Sequence, residues 1–215
     1  MQLGEIYAKI KLLNQPSFQT RDIVTLLNLT TTTASKALAR LTKQGHLLQL
    51  RSGLWALPEK IKHFMLPEKL TAPFPSYVSL QSALYYHGMI EQIPEIIYAV
   101  SLARTKVFKT SLATVSVHHI PTAFYFGYIN VENNIKIATP EKALLDFFYL
   151  HPAKSRLFAA LPELELPKTF NYKLCCEWLN KIPSPQRRTM VKKLMVSNFG
   201  AVIRRQIEQG KIHLF

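Results

Sequence analysis

Between Thr20 and Leu57 the chain carries two short amphipathic segments, a glycine stop and two strand-like runs joined by Ser52-Gly53. That order leaves few folds open. Thr20 suits an N-cap, and Asp22 in the first turn suits the positive end of the helix dipole. Ile23, Leu26 and Leu27 give this first segment one apolar face, and Asn28-Leu29 breaks it. A second helix begins near Thr31 or Thr32. Its apolar residues are Ala34, Ala37, Leu38 and Leu41, spaced i, i+3, i+4, i+7, which makes a buried stripe. At about 100° per residue the opposite face holds Thr32, Lys36, Ala39 and Lys43, flanked by Thr33, Ser35 and Arg40. Gly45 closes the helix as a C′ residue.

After Gly45, His46 to Arg51 and Leu54 to Leu57 read as two strands with Ser52-Gly53 as the hairpin turn. Upstream, Leu3, Ile6, Tyr7, Ile10 and Leu13 form a further helical stripe that Pro16 ends. Three helices followed by a basic hairpin predict a winged helix-turn-helix over 1–58. The outward face of the second segment suits double-stranded DNA. Short hydroxyl side chains at the helix tip meet base edges, and cations meet phosphates. The expected contact set is Thr32, Thr33, Ser35, Lys36, Arg40 and Lys43, with Arg51 gripping the flank from the hairpin tip.

Charge supports a polyanionic partner. The net charge is +14. Residues 1–60 hold 8 Lys+Arg against 3 Asp+Glu, residues 61–150 hold 7 against 6, and residues 151–215 hold 12 against 4. The excess therefore lies at both ends around a near-neutral middle, as for a polyanion touched in two places. Arg187, Arg188, Lys192 and Lys193 spread over a broad face of a helix after Pro185 and are the expected second contact. A membrane surface competes as partner, but no strong lipid-insertion face is evident. No apolar run approaches the ~18 residues of a spanning helix, and the N-terminus lacks a basic-then-apolar signal pattern. The chain reads as cytoplasmic and free of membrane.

The remaining sequence predicts a linker over 59–75 and a second domain over 76–215, whose basic helices fall in 151–215. Prolines 58, 67, 73 and 75 make the linker stiff and partly extended. LPEKI (57–61) and LPEKL (66–70) mark at most two short helix starts. Ser79 can cap a short helix that carries Leu80, Ala83, Leu84 and His87 and stops at Gly88. Strand-like runs are Ile96–Ser101, Thr114–His119, and Tyr125–Ile129 paired with Ile135–Ala138, with Asn133-Asn134 in the last turn. Thr139-Pro140-Glu141 is a helix start, and the helix to Leu150 buries some of Ala143, Leu144, Phe147 and Phe148. Asp146 lies near apolar neighbours, in reach of a backbone group or a cation. Helices are expected over Phe170–Asn180, from Ser184-Pro185 to about Asn198 with a stop at Gly200, and from Ala201 to Gln209 with a stop at Gly210. The fold class is α+β: a winged helix-turn-helix, then a mixed domain with a small β-sheet and a helical C-terminal part.

Enzyme chemistry finds little support. His118-His119 fall on opposite faces of a strand and cannot chelate one metal together. Glu141 and Asp146 are five apart on a helix, about 140° of net rotation at 100° per residue, so their carboxylates diverge. GxGxxG, Walker A, HExxH and GxSxG motifs are absent. Cys175 and Cys176 are adjacent, which suits reduced packing residues rather than a disulfide or a zinc site. No catalytic residue, metal or cofactor is expected.

Tyr77-Val78-Ser79-Leu80-Gln81-Ser82-Ala83-Leu84-Tyr85-Tyr86-His87-Gly88 resembles the "SAL..HG" segment of the AbiEi family, the antitoxins of type IV toxin–antitoxin systems. Ile93-Pro94 and Phe126-Gly127-Tyr128 fit its spacing. Ala138-Thr139-Pro140-Glu141-Lys142-Ala143-Leu144-Leu145-Asp146 resembles its "PEKALLD" helix. With the first 58 residues, the resemblance covers 1 to about 151. It implies a bacterial transcriptional repressor that binds inverted repeats in its own promoter. It also implies a nucleotidyltransferase toxin as functional partner, without a stable complex. A solitary regulator without a toxin, a protein-interaction module that blocks a toxin directly, and a nucleic-acid-modifying enzyme are the alternatives.

Overall fold

The computed structural model describes residues 2–150 and 164–208. The N-terminal part runs α1 (Leu3–Leu12), β1 (Ser17–Gln19), α2 (Thr20–Leu27), α3 (Thr31–Lys43), β2 (Leu48–Arg51) and β3 (Leu54–Ala56). Its three strands form an antiparallel sheet in the order β1-β3-β2. Ile6, Ile10, Phe18, Ile23, Ala34, Leu38, Leu41, Leu47, Trp55 and Leu57 make its core. Thus the apolar stripes of all three helices meet one side of the sheet.

Thr20 does not cap α2. It is the first helical residue, and its Oγ1 accepts from the Trp55 indole at 2.9 Å. Asp22 takes over the terminus by accepting from the Gln19 N–H at 2.7 Å. Asn28 ends α2 in the left-handed conformation, φ 49, which short polar side chains tolerate. The α3 N-terminus is held by Thr30, whose Oγ1 accepts from the Thr33 N–H. Gly45 at φ +78 and Gly53 at φ +74 turn the chain out of α3 and around the hairpin tip.

The stretch 59–75 is not an extended link. It holds a 3-10 turn, His63–Met65, and α4 (Leu66–Thr71), with Leu66 and Leu70 buried. Pro67 begins this helix instead of breaking it, because a first-turn proline gives up an N–H that would be unpaired anyway.

Beyond it a six-stranded mixed sheet forms. Its strands are β4 (Ser76–Val78), β5 (Ile97–Ser101), β6 (Lys106–Lys109), β7 (Thr114–His119), β8 (Tyr128–Val131) and β9 (Ile135–Ala138), in the order β6-β7-β5-β4-β9-β8. Pairs β5/β7 and β4/β9 are parallel, and the rest are antiparallel. This sheet is larger than the small one expected. Every residue of β4 and β5 is buried, so the sheet centre is covered on both faces. α5 (Leu80–Tyr86) packs on β5 and on α6 (Pro140–Leu150), and α6 meets α7 (Tyr172–Leu179) and α8 (Pro185–Glu208).

α8 runs unbroken through Gly200, contrary to the expected stop there. A glycine inside a long helix costs only about 1 kcal/mol relative to alanine. The expected stop at Gly210 and the 151–163 part of the basic region lie outside the described residues. No helix among those described is long and apolar enough to cross a membrane.

The two parts share a wall. Along β3, Trp55 belongs to the N-terminal core, while Leu54 and Ala56, with Leu50 of β2, belong to the larger core with Leu66, Leu70 and Tyr77. Successive strand residues point to opposite faces, so the small sheet is buried on both.

Candidate nucleic-acid interface

The apolar stripe of α3 is fully consumed by packing: Ala34, Leu38 and Leu41 are at most 1% exposed. The helix period then leaves Thr31, Thr32, Lys36, Ala39, Arg40 and Lys43 exposed on the other side. Thr33 is exposed too, but its hydroxyl is engaged with Thr30 Oγ1 at 2.8 Å, so it belongs to the cap as much as to the surface. Ser35 is half-buried. Arg51 is exposed beside the hairpin turn. Lys36, Arg40, Lys43 and Arg51 make no ion pair among the described residues. Three uncommitted cations and a tip of threonines therefore share the exposed face of α3, and a fourth cation, Arg51, stands exposed on the hairpin.

The second set divides. Arg187 and Arg188 are half-buried and already employed. Arg187 Nη1 donates to the Tyr149 carbonyl at 3.0 Å, with its guanidinium 4.8 Å from the Tyr149 ring centre. Arg188 Nη2 donates to the Ile182 carbonyl at 2.9 Å. Both arginines pin the start of α8, each through one guanidinium nitrogen. Sequence alone could not separate them from their neighbours, since all four cations lie within seven residues. Lys192 and Lys193 stay exposed.

A polar cluster that the sequence barely signalled lies inside the larger core. Lys142 Nζ donates to Asp146 Oδ1, one helical turn on, and both side chains are wholly buried. Asp146 Oδ2 accepts from Ser79 Oγ at 2.7 Å and from Tyr77 OH at 3.0 Å. The Lys142 ammonium stands 3.8 Å from the Phe124 ring centre and 5.1 Å from that of Phe126. Burial drives the Asp146 carboxyl up and the Lys142 amine down from their ordinary values, while their mutual attraction opposes both shifts. Burial and the adjacent Asp146 also push the Tyr77 phenol well up. Closed, with every partner inside, the cluster ties β4 and the start of α5 to α6. The sequence puts Asp146 in reach of a backbone group or a cation, and the cation proves to be Lys142 on its own helix. The sequence does not single out Lys142, because lysine is seldom fully buried.

Gly127 completes the cradle. At φ +74, a Cβ there would stand 3.0–3.1 Å from the Lys142 side chain. Gly127→Ala is expected to destabilise the fold by about 1–3 kcal/mol, read by urea denaturation. An unchanged midpoint would mean that the lysine can shift aside.

His118 and His119 lie on successive positions of β7 as expected. His118 is buried and paired with Ser116 at 3.1 Å, and His119 is exposed against the Ala103 carbonyl. No group of three or more His, Cys, Asp or Glu among the described residues could hold a metal ion. Cys175 is buried against the Glu141 carbonyl, and burial raises its thiol well above the ordinary range. Compared with known proteins, the chain matches no family model, and no curated protein matches it.

Proposed function

We propose that this protein is a sequence-specific, DNA-binding transcriptional repressor of the AbiEi antitoxin type, which binds inverted repeats in its own promoter. One observation carries the reading: the face of α3 left free by core packing is the one that bears Thr32, Lys36, Arg40 and Lys43. The element order α1-β1-α2-α3-β2-β3 supports a winged helix-turn-helix, with α3 as the helix that enters the major groove. Arg51 supplies the flanking contact from the hairpin. The antitoxin assignment draws on the short motifs at 77–88 and 138–146. The fold draws on those same motifs for its buried tie, since Tyr77, Ser79, Lys142 and Asp146 all lie in them.

Fluorescence anisotropy with promoter and scrambled duplexes tests the DNA reading. The promoter duplex is expected to bind at least 100-fold more tightly. Equal affinities, or no binding at low salt, overturn it. A nucleotidyltransferase gene beside this one, neutralised on co-expression while the two purified proteins run as separate peaks on a sizing column, supports the antitoxin role. Co-elution favours direct blockade.

Neutralising roughly six phosphates gives a log–log salt slope near −5. Lys192→Ala/Lys193→Ala is expected to weaken all duplexes alike and to flatten that slope by about 1 per lysine. An unchanged slope removes α8 from the interface.

A further inference from the structure

A cleft of about 290 Å³ opens where the parallel strands β4 and β9 begin, roofed by the 3-10 turn and α4 and reached by Pro16 of the N-terminal part. The DNA reading makes no use of it. Across it, Lys136 Nζ of β9 donates to Glu68 Oε1 of α4 at 2.6 Å. Neither group is exhausted by that bond: an ammonium has three donors, and a carboxylate accepts at both oxygens. Ser76 lines the same cleft and is 1% exposed, yet its hydroxyl has no hydrogen-bond partner among the described residues. Buried hydroxyls are nearly always paired. Phe64 and Met65 supply an apolar wall.

We propose that this cleft binds a small zwitterion of the free α-amino-acid class. Lys136 takes its carboxylate, the open oxygen of Glu68 takes its ammonium, Ser76 adds a hydroxyl contact, and Phe64 and Met65 receive its side chain. Opposite charges held side by side match a ligand that carries both on groups attached to one carbon, and disfavour one that carries a single sign. The volume stands at the lower end of ligand pockets, which run from about 300 to 1,000 Å³, so the ligand is metabolite-sized. The proposal is independent of the DNA reading.

The test is titration calorimetry of the full chain with each of the twenty free L-amino acids. At least one is expected to bind with a dissociation constant below about 1 mM, and its decarboxylated amine and its deaminated acid at least tenfold more weakly. Lys136→Met and Glu68→Gln are each expected to lose tenfold or more. Ser76→Ala should weaken binding several-fold while leaving the denaturation midpoint of the free protein unchanged or raised, because its hydroxyl gives up no protein bond. Failure of all twenty to bind at 10 mM overturns the proposal. So does equal binding of the single-charge analogues, or a Ser76→Ala protein that is less stable without ligand.

Discussion

Lys142→Ala is expected to lower the unfolding free energy by about 3–5 kcal/mol. The reason is asymmetry, not the strength of one bond. Asp146 is fully buried and shares its carboxylate among Lys142, Tyr77 and Ser79. Removing the ammonium leaves a charge that water cannot reach, or forces the carboxyl to take up a proton. It also empties the space over the Phe124 and Phe126 rings. Replacing both partners at once, Lys142→Met/Asp146→Leu, should cost less than the two single changes added together, since neither charge is stranded. Guanidinium denaturation of all four proteins reads the coupling. A single change that costs under about 1 kcal/mol would show that the pair is hydrated after all.

The second large effect concerns α3. Lys36→Ala/Arg40→Ala is expected to weaken promoter binding at least about 30-fold, at about 1–3 kcal/mol per base-reading side chain. Both side chains are exposed and one turn apart, and the Ala34, Ala37, Leu38 and Leu41 stripe beneath them is untouched. The double variant should therefore keep its melting temperature and far-ultraviolet spectrum. Promoter preference should fall more than affinity for scrambled DNA. Equal losses on both would assign the two cations to phosphates; no loss on either would remove α3 from the interface.

Sequence legibility followed the length and regularity of each element. α3 and β7 were read to within a residue, because thirteen residues of helical stripe and six of strand carry their own pattern. The hairpin tip was legible from Ser52-Gly53, and the Asn133-Asn134 turn from its asparagines, both of which take positive φ. β1 and β4 went unread. Each has three residues, too few to show an alternation, and both are defined by partners far along the chain. α4 hid behind its prolines. Composition signals an extended link there, but Leu66 and Leu70 are drawn into the larger core. Of the proposed contact residues, the exposure of Thr32, Lys36, Arg40 and Lys43 follows from helical periodicity, and that of Arg51 from the Ser52-Gly53 turn. The engagement of Arg187 and Arg188 follows from neither, since what occupies them are carbonyls of Tyr149 and Ile182, which no side-chain pattern records.

The three-stranded sheet has cores pressed against both its faces, with Trp55 on one side and Leu54 and Ala56 on the other. A partition of this kind acts as a weld. α3 has no swivel of its own, so its angle is inherited from the body behind it. On the proposed reading, a duplex that meets the Lys36, Arg40 and Lys43 face has its direction set by the whole body, with no bend at the neck to adjust it.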